Sequence, residues 1–179
     1  SAYDLGIDAG MVSRSTLRIK KVVKSTGRSV RVVPNNEPAL NSAQVLYNQL
    51  TSPLGMELLL VRNGDKTLLA QTVSEQDIDA YAARDQGRPK RDSKVGMLPP
   101  KLAQIIVNLS NITKGTPLDP FCGTGVILQE SHLMGLSVYG TDLEQRMIDY
   151  TNANLEWLEE KTGSHVQGTT EKADATNHQ

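Results

Sequence analysis

The 179-residue chain holds a single cysteine, Cys122, which excludes an internal disulfide and a cysteine-based metal cluster and fits a reducing, cytoplasmic setting. No stretch of about 18 consecutive apolar residues occurs, so no membrane-spanning helix is expected. The first residues, SAYDLGIDAG, lack a basic segment followed by an apolar one, which argues against a secretory signal. Internal repeats and low-complexity blocks are absent as well. Net charge is only -1, but it is uneven: residues 1–96 carry 14 Lys and Arg against 10 Asp and Glu, and residues 97–179 carry 5 against 10. A basic half joined to an acidic half fits a nucleic-acid-binding module joined to a small-molecule module, although solvated faces differing by chance give the same numbers.

What is present divides at a charged stretch. Residues 3–7 read as a strand. Residues 15–25 put Ile19, Val22 and Val23 on one face and Lys20, Lys21 and Lys24 on the other, an amphipathic helix closed by Gly27. Residues 29–33, SVRVV, alternate as a half-buried strand with Arg31 outward. Asn41 caps a second helix whose Val45, Leu46 and Leu50 face inward. Two apolar runs flank Asn63-Gly64 within residues 56–73, which predicts an antiparallel hairpin. The order βαβαββ makes residues 1–73 a small α/β module. Residues 74–96 have almost no large apolar side chains and read as a charged connector, in which Arg84, Arg88, Lys90, Arg91 and Lys94 gather.

From Met97 onward, strands and helices alternate. Leu98, Leu102, Ile105, Ile106 and Leu109 predict a helix over 99–110 opened by Pro99 and Pro100. A strand at 116–119, a glycine turn, a helix at 125–134, a strand at 137–141 and a long helix at 144–161 ended by Gly163 follow. This pattern implies a parallel sheet covered by helices.

The turn reads LDPFCGTG (118–125). It lacks the Lys-Ser/Thr ending of a phosphate-gripping loop, and Leu128 stands where a dinucleotide fingerprint has its third glycine, so both phosphate readings weaken. What remains is a strand ending in Asp119, a turn that brings backbone close to a ligand, Asp142 at the end of the next strand, and Asp174 where a third strand should end. A carboxylate at 142 can accept hydrogen bonds from both ribose hydroxyls, and one at 174 from an adenine amino group. Together they outline a pocket for a nucleoside without phosphate, an outline that S-adenosylmethionine has, its sulfonium charge favoured by nearby carboxylates. Taken singly, the Gly-x-Gly is a tight turn, Asp142 a helix cap and Asp174 a loop acid. Cys122, with no histidine near it in sequence, reads as a small packed side chain rather than a nucleophile.

LDPFCGTGVILQE followed by VYGTDLEQRMIDYTNANLEW resembles motif I and the acidic loop of class I methyltransferases. RPKRDSKVGMLPPKLAQIIVNLS is similar to the entry segment of one branch, the THUMP-domain tRNA guanine-N2 methyltransferases, and GRSVRVV, LNSAQVLYNQL and QDIDAYAARDQGRP are similar to the end of its THUMP module and its connector. The resemblance implies an α/β fold made of a partial THUMP-like module (1–73), a connector (74–96) and the first half of a Rossmann-like methyltransferase sheet (97–179). It implies S-adenosylmethionine held by Asp119, Phe121, Cys122, Gly123, Thr124, Gly125, Asp142, Leu143, Asp174 and Ala175. It also implies tRNA gripped through the basic first half, with Arg84, Arg88, Lys90, Arg91 and Lys94 as phosphate partners, and methyl transfer to the exocyclic N2 of a guanine at position ten, without a metal.

The family's catalytic Asp/Asn-Pro-Pro-aromatic loop does not occur here. The only Pro-Pro, in Leu98-Pro99-Pro100-Lys101, has neither the polar residue before it nor the aromatic after it and reads as a helix start. No catalytic residue is therefore assigned, and the chain is expected to be a segment of a longer methyltransferase, inactive alone. The alternatives are a methyltransferase of another RNA or DNA base, and a non-catalytic RNA-binding protein.

Overall fold

A computed structural model describes residues 1–3 and 5–177. The chain divides into two compact units, Ser1–Ile78 and Asp79–Gln179. The division falls inside the stretch read as a connector, and residues 79–96 belong to the second unit.

In the first unit, β1 (Ala2–Tyr3) pairs in parallel with β2 (Leu58–Asn63), which pairs antiparallel with β3 (Lys66–Gln71). The predicted first strand is shorter than 3–7, and Asp4 lies outside the described residues. Between β1 and β2 run α1 (Ala9–Ser25) and α2 (Ser42–Tyr47). The helix α1 begins earlier than its apolar periodicity suggests because Asp8 caps it, its side chain accepting from Met11 N at 2.7 Å. Asn41 caps α2 in a reciprocal box with Gln44, as its position predicts, and Val45 is buried.

Two expectations fail in this unit, and the antiparallel hairpin within residues 56–73 forms with its turn displaced. Residues 29–33 form no strand: no ladder partner reaches them, and Arg31 instead donates to Asn48 Oδ1 at 2.8 Å. The hairpin turn sits one residue later than Asn63-Gly64. Asn63 pairs with Lys66, leaving Gly64-Asp65 as the two-residue loop, and positive φ falls on Gly64 alone of these. Ile19 and Val22, read as part of the apolar face of an amphipathic helix, are half or more exposed, and α1 buries no residue fully.

The second unit opens with α3 (Ile78–Gly87), a helix the low apolar content of the stretch had concealed. Next come α4 (Pro100–Leu109), β4 (Leu118–Asp119), α5 (Val126–Leu133), β5 (Val138–Asp142), α6 (Gln145–Thr162), β6 (Gly168–Lys172) and a 3-10 turn at Ala175–Asn177. The three strands form a parallel sheet in the order β4-β5-β6. With helical crossovers between parallel strands, this is the Rossmann-like α/β architecture that the alternating pattern implies.

The core joins Cys122, Leu128, Val138, Ile148 and Leu155. Gly140 on β5 admits α5 to this depth: a Cβ there would lie 2.4 Å from Leu128 Cδ1. On α4 the buried face is Pro100, Ala103 and Val107, whereas the expected set of Leu102, Ile105, Ile106 and Leu109 is 40% or more exposed. Apolar residues occur all round this helix, so periodicity alone could not select the face that packs on α5. Ala103 allows the closer approach.

Candidate nucleoside site

The glycine turn leaves the carboxyl end of β4 and enters α5 through Gly125. Asp119 closes the strand and accepts from Phe121 N at 3.2 Å, which bends the chain out of the sheet. Cys122 N donates to Thr141 O at 2.9 Å, anchoring the turn to β5. Asp142, the last residue of β5, accepts from Gly123 N at 3.1 Å through Oδ2 and from Glu144 N at 2.9 Å through Oδ1. One carboxylate thus fixes both the turn and the approach to α6. A carboxylate has about four acceptor positions, so two stay open on Asp142.

The turn is also held from behind by α6, through residues the motif does not contain. Thr151 Oγ1 donates to Gly123 O at 3.0 Å, and Asn154 Nδ2 donates to Thr124 O at 2.8 Å. Both side chains are fully buried. A trans peptide points its C=O and N–H in opposite directions, so the bond from Thr151 turns the Thr124 N–H away from α6. That N–H meets no acceptor among the described residues. Gly125 is needed twice over: its φ is +78°, and a Cβ there would lie 2.8 Å from Thr151 Cγ2. At Gly123 the same test finds only Phe121 O, at 3.9 Å, so the turn is open on that side.

Burial, with a smaller contribution from the charge of Asp142, raises the Asp119 carboxyl above its ordinary pKa against the opposing Phe121 N–H. Burial pushes the Cys122 thiol up to about 11. With 5% exposure, it is a packing residue and not a thiolate nucleophile. Phe121 and Leu143 are 77% and 65% exposed, apolar surface on the loops leaving β4 and β5. Asp174 follows β6 at the same end of the sheet, where Ala173 N donates to Asp142 O at 3.1 Å. Its Oδ1 accepts from Thr176 N and Oγ1 and shapes the turn that contains Ala175.

The five basic residues separate into two groups. Arg84 makes a two-pronged ion pair with Glu130, Nε to Oε1 at 2.7 Å and Nη2 to Oε2 at 3.2 Å, and Glu130 is 1% exposed. Arg88 is itself buried, 3.6 Å from Asp85 Oδ1, with no hydrogen-bond partner for Nε or Nη2 among the described residues. Neither side chain is presented to a phosphate, which corrects the reading of both as RNA contacts; charge in a sequence does not reveal burial. Lys90, Arg91 and Lys94 are exposed.

Thr151 and Asn154 carried no weight in the sequence reading. Their signal was visible: they are polar interruptions of the apolar stripe Met147, Ile148, Leu155 and Leu158 on α6. The groups around the turn are of a kind that accepts hydroxyl hydrogens and favours positive charge. They offer open carboxylate positions, an unpartnered backbone donor and exposed apolar flanks, and no phosphate-binding lysine. No group of three or more His, Cys, Asp or Glu placed to hold a metal occurs among the described residues.

Fold and turn define an α/β domain whose parallel sheet carries a glycine turn at its carboxyl edge, where open sheets of this kind bind ligands. The family described as "RMKL-like, methyltransferase domain" matches residues 88–177, half of the chain, and the chain belongs to that family. The match begins at Arg88, within the former connector, in keeping with the packing of that segment into the second unit. The tRNA (guanine(10)-N2)-dimethyltransferase of Methanocaldococcus jannaschii is 30% identical over 145 residues, 80% of this chain and 37% of the relative. The enzymes of the same name from Methanothermobacter thermautotrophicus and Pyrococcus abyssi are 52% and 48% identical over 62 and 60 residues, in each case 34% of this chain and 18% of the relative. The chain therefore spans well under half the length of these relatives.

Proposed function

We propose that this chain is the cofactor-binding part of an S-adenosylmethionine-dependent methyltransferase that acts on tRNA, at the exocyclic N2 of a guanine, position ten. The observation that carries the reading is the glycine turn clamped by Asp142, with open acceptor positions on that carboxylate and a free Thr124 N–H beside it. The names of the relatives support the substrate.

When bound, S-adenosylmethionine supplies an electrophilic methyl group next to a sulfonium. Asp142 holds the ribose hydroxyls through its open positions, and Asp174 lies on the adenine side. The Thr124 N–H suits the amino-acid carboxylate, and Phe121 and Leu143 flank the base. Asp119 and Asp142 favour the positive charge of the donor. Their work is binding and orientation, which brings a bimolecular transfer closer to a unimolecular one. Pro99 and Pro100 open α4, and no acceptor loop for the guanine amine occurs in these residues.

Lys90, Arg91 and Lys94 are the phosphate contacts of this reading, joined by the first unit as a THUMP-like RNA-binding module. There α1 carries Arg14, Arg18, Lys20, Lys21 and Lys24 and no acid. No helix among the described residues is long and apolar enough to cross a membrane.

Isothermal titration of the chain with S-adenosylmethionine, alongside tRNA retention at several salt concentrations, tests both halves. Saturable binding of the nucleoside and salt-dependent binding of tRNA are expected. Retained tRNA without nucleoside binding favours a non-catalytic RNA-binding protein.

A further inference from the structure

Residues 87–92 lie along one stripe of α6. A Cβ on Gly87 would be 3.2 Å from Trp157 Cζ2. Lys90 binds Asn154 through its backbone and places its ammonium 5.5 Å from the Tyr150 ring centre. Asp92 pairs with Arg146 at 2.7 Å. Positions 157, 154, 150 and 146 are three or four residues apart and so share a helix face. The segment is a strap laid antiparallel along α6, ending near the loop that follows Asp142.

Among these attachments Asn154 is distinct. Both of its amide hydrogens are used, Nδ2 donating to Lys90 O at 2.9 Å and to Thr124 O at 2.8 Å, and Oδ1 accepts from Lys90 N at 2.9 Å. It is fully buried, whereas Arg146 is 49% exposed and its ion pair with Asp92 is correspondingly screened. Buried hydrogen bonds without solvent to replace them are costly to break. Asn154 is thus a two-sided clamp, with the strap on one side and the glycine turn on the other.

We propose that Asn154 is a positioning residue that couples residues 88–92 to the glycine turn, so that filling of the turn and seating of the strap favour each other. The inference rests on the reading of the turn as an S-adenosylmethionine site. A ligand on the Thr124 N–H fixes the Gly123–Thr124 peptide and, through the two torsions at the Thr124 Cα, restrains the next peptide, whose carbonyl accepts from Asn154, and hence the amide that grips Lys90. Linkage makes the effect reciprocal: an ordered strap tightens ligand binding by the same factor that ligand tightens the strap. The exposed Lys90 and Arg91 at the outer edge of the strap then present their charges in a ligand-dependent way.

Trypsin cleavage after Lys90 and Arg91 in the 179-residue chain, with and without S-adenosylmethionine, reads the coupling directly. Saturating ligand is expected to slow cleavage about tenfold in the unaltered chain. Asn154→Asp is isosteric and keeps the acceptor for Lys90 N but loses both donated bonds. It should weaken ligand binding about tenfold and abolish the protection. Thr151→Val loosens the turn without touching the strap, so it should weaken binding yet keep protection at saturation. A folded Asn154→Asp chain with unchanged affinity and undiminished protection overturns the proposal.

Hydrogen exchange at the Lys90 amide of the unaltered chain supplies the test without a variant. Slowing by saturating ligand supports the coupling, and an unchanged rate overturns it while leaving the cofactor reading intact. Failure of the unaltered chain to bind the nucleoside overturns both.

Discussion

Replacing Gly125 by alanine adds one methyl group where φ is +78° and where the new Cβ would lie 2.8 Å from Thr151 Cγ2, 3.0 Å from its Oγ1 and 3.2 Å from its Cβ. The left-handed backbone costs an L-residue about 1–2 kcal/mol. Thr151 is fully buried and bonded to Gly123 O, so it cannot swing aside, and overpacking of this kind costs a further 1–3 kcal/mol or so. The expected loss is about 2–5 kcal/mol. Gly123→Ala is the internal control: its φ is also positive, +54°, but its Cβ would meet only Phe121 O at 3.9 Å, so about 1–2 kcal/mol is expected. Urea denaturation followed by the fluorescence of Trp157, the sole tryptophan and a residue of α6, reports on the second unit alone. In a cycle with Thr151→Ala, which removes the opposing methyl and hydroxyl, a coupling of about 1–3 kcal/mol should appear. The steric account of the turn is refuted if Gly125→Ala costs no more than Gly123→Ala, or if the two sites are additive.

Two further outcomes follow from groups near the turn. Arg84→Ala leaves the carboxylate of Glu130, 1% exposed, without its partner, and should destabilise the second unit by about 3–5 kcal/mol in the same denaturation assay, with Arg84→Lys recovering only part. Cys122, with its pKa near 11 and 5% exposure, should resist iodoacetamide at pH 8 for as long as the fold persists and react at the unfolded rate in denaturant.

Legibility in the sequence followed the kind of signal each element carried. The boundaries of α5 and α6 were readable because Gly135 and Gly163 stop them in positive-φ conformations, and the turn was readable because its spacing places an acid at each strand end. Chemistry that depends on burial was not readable. Arg84 and Arg88 looked like a solvated basic cluster, yet one closes an ion pair with a buried glutamate and the other is enclosed. The face of α4 was misassigned because large apolar residues stand on more than one side of it, and small Ala103 marks the contact. Residues 29–33 alternate like a strand, but alternation supplies no partner for the ladder. Asn154 and Thr151 were overlooked because their role is toward carbonyls of a distant turn, which a local pattern does not announce.

The central claim is that the turn after β4, clamped by Asp142, holds S-adenosylmethionine, and isothermal titration of the unaltered chain beside Asp142→Ala tests it most directly. The account predicts saturable binding by the unaltered chain, weakened by about 1–3 kcal/mol in the variant as the ribose acceptor and the tie to Gly123 N are lost together. Equal affinity in both chains, or no binding by the unaltered one, would contradict it.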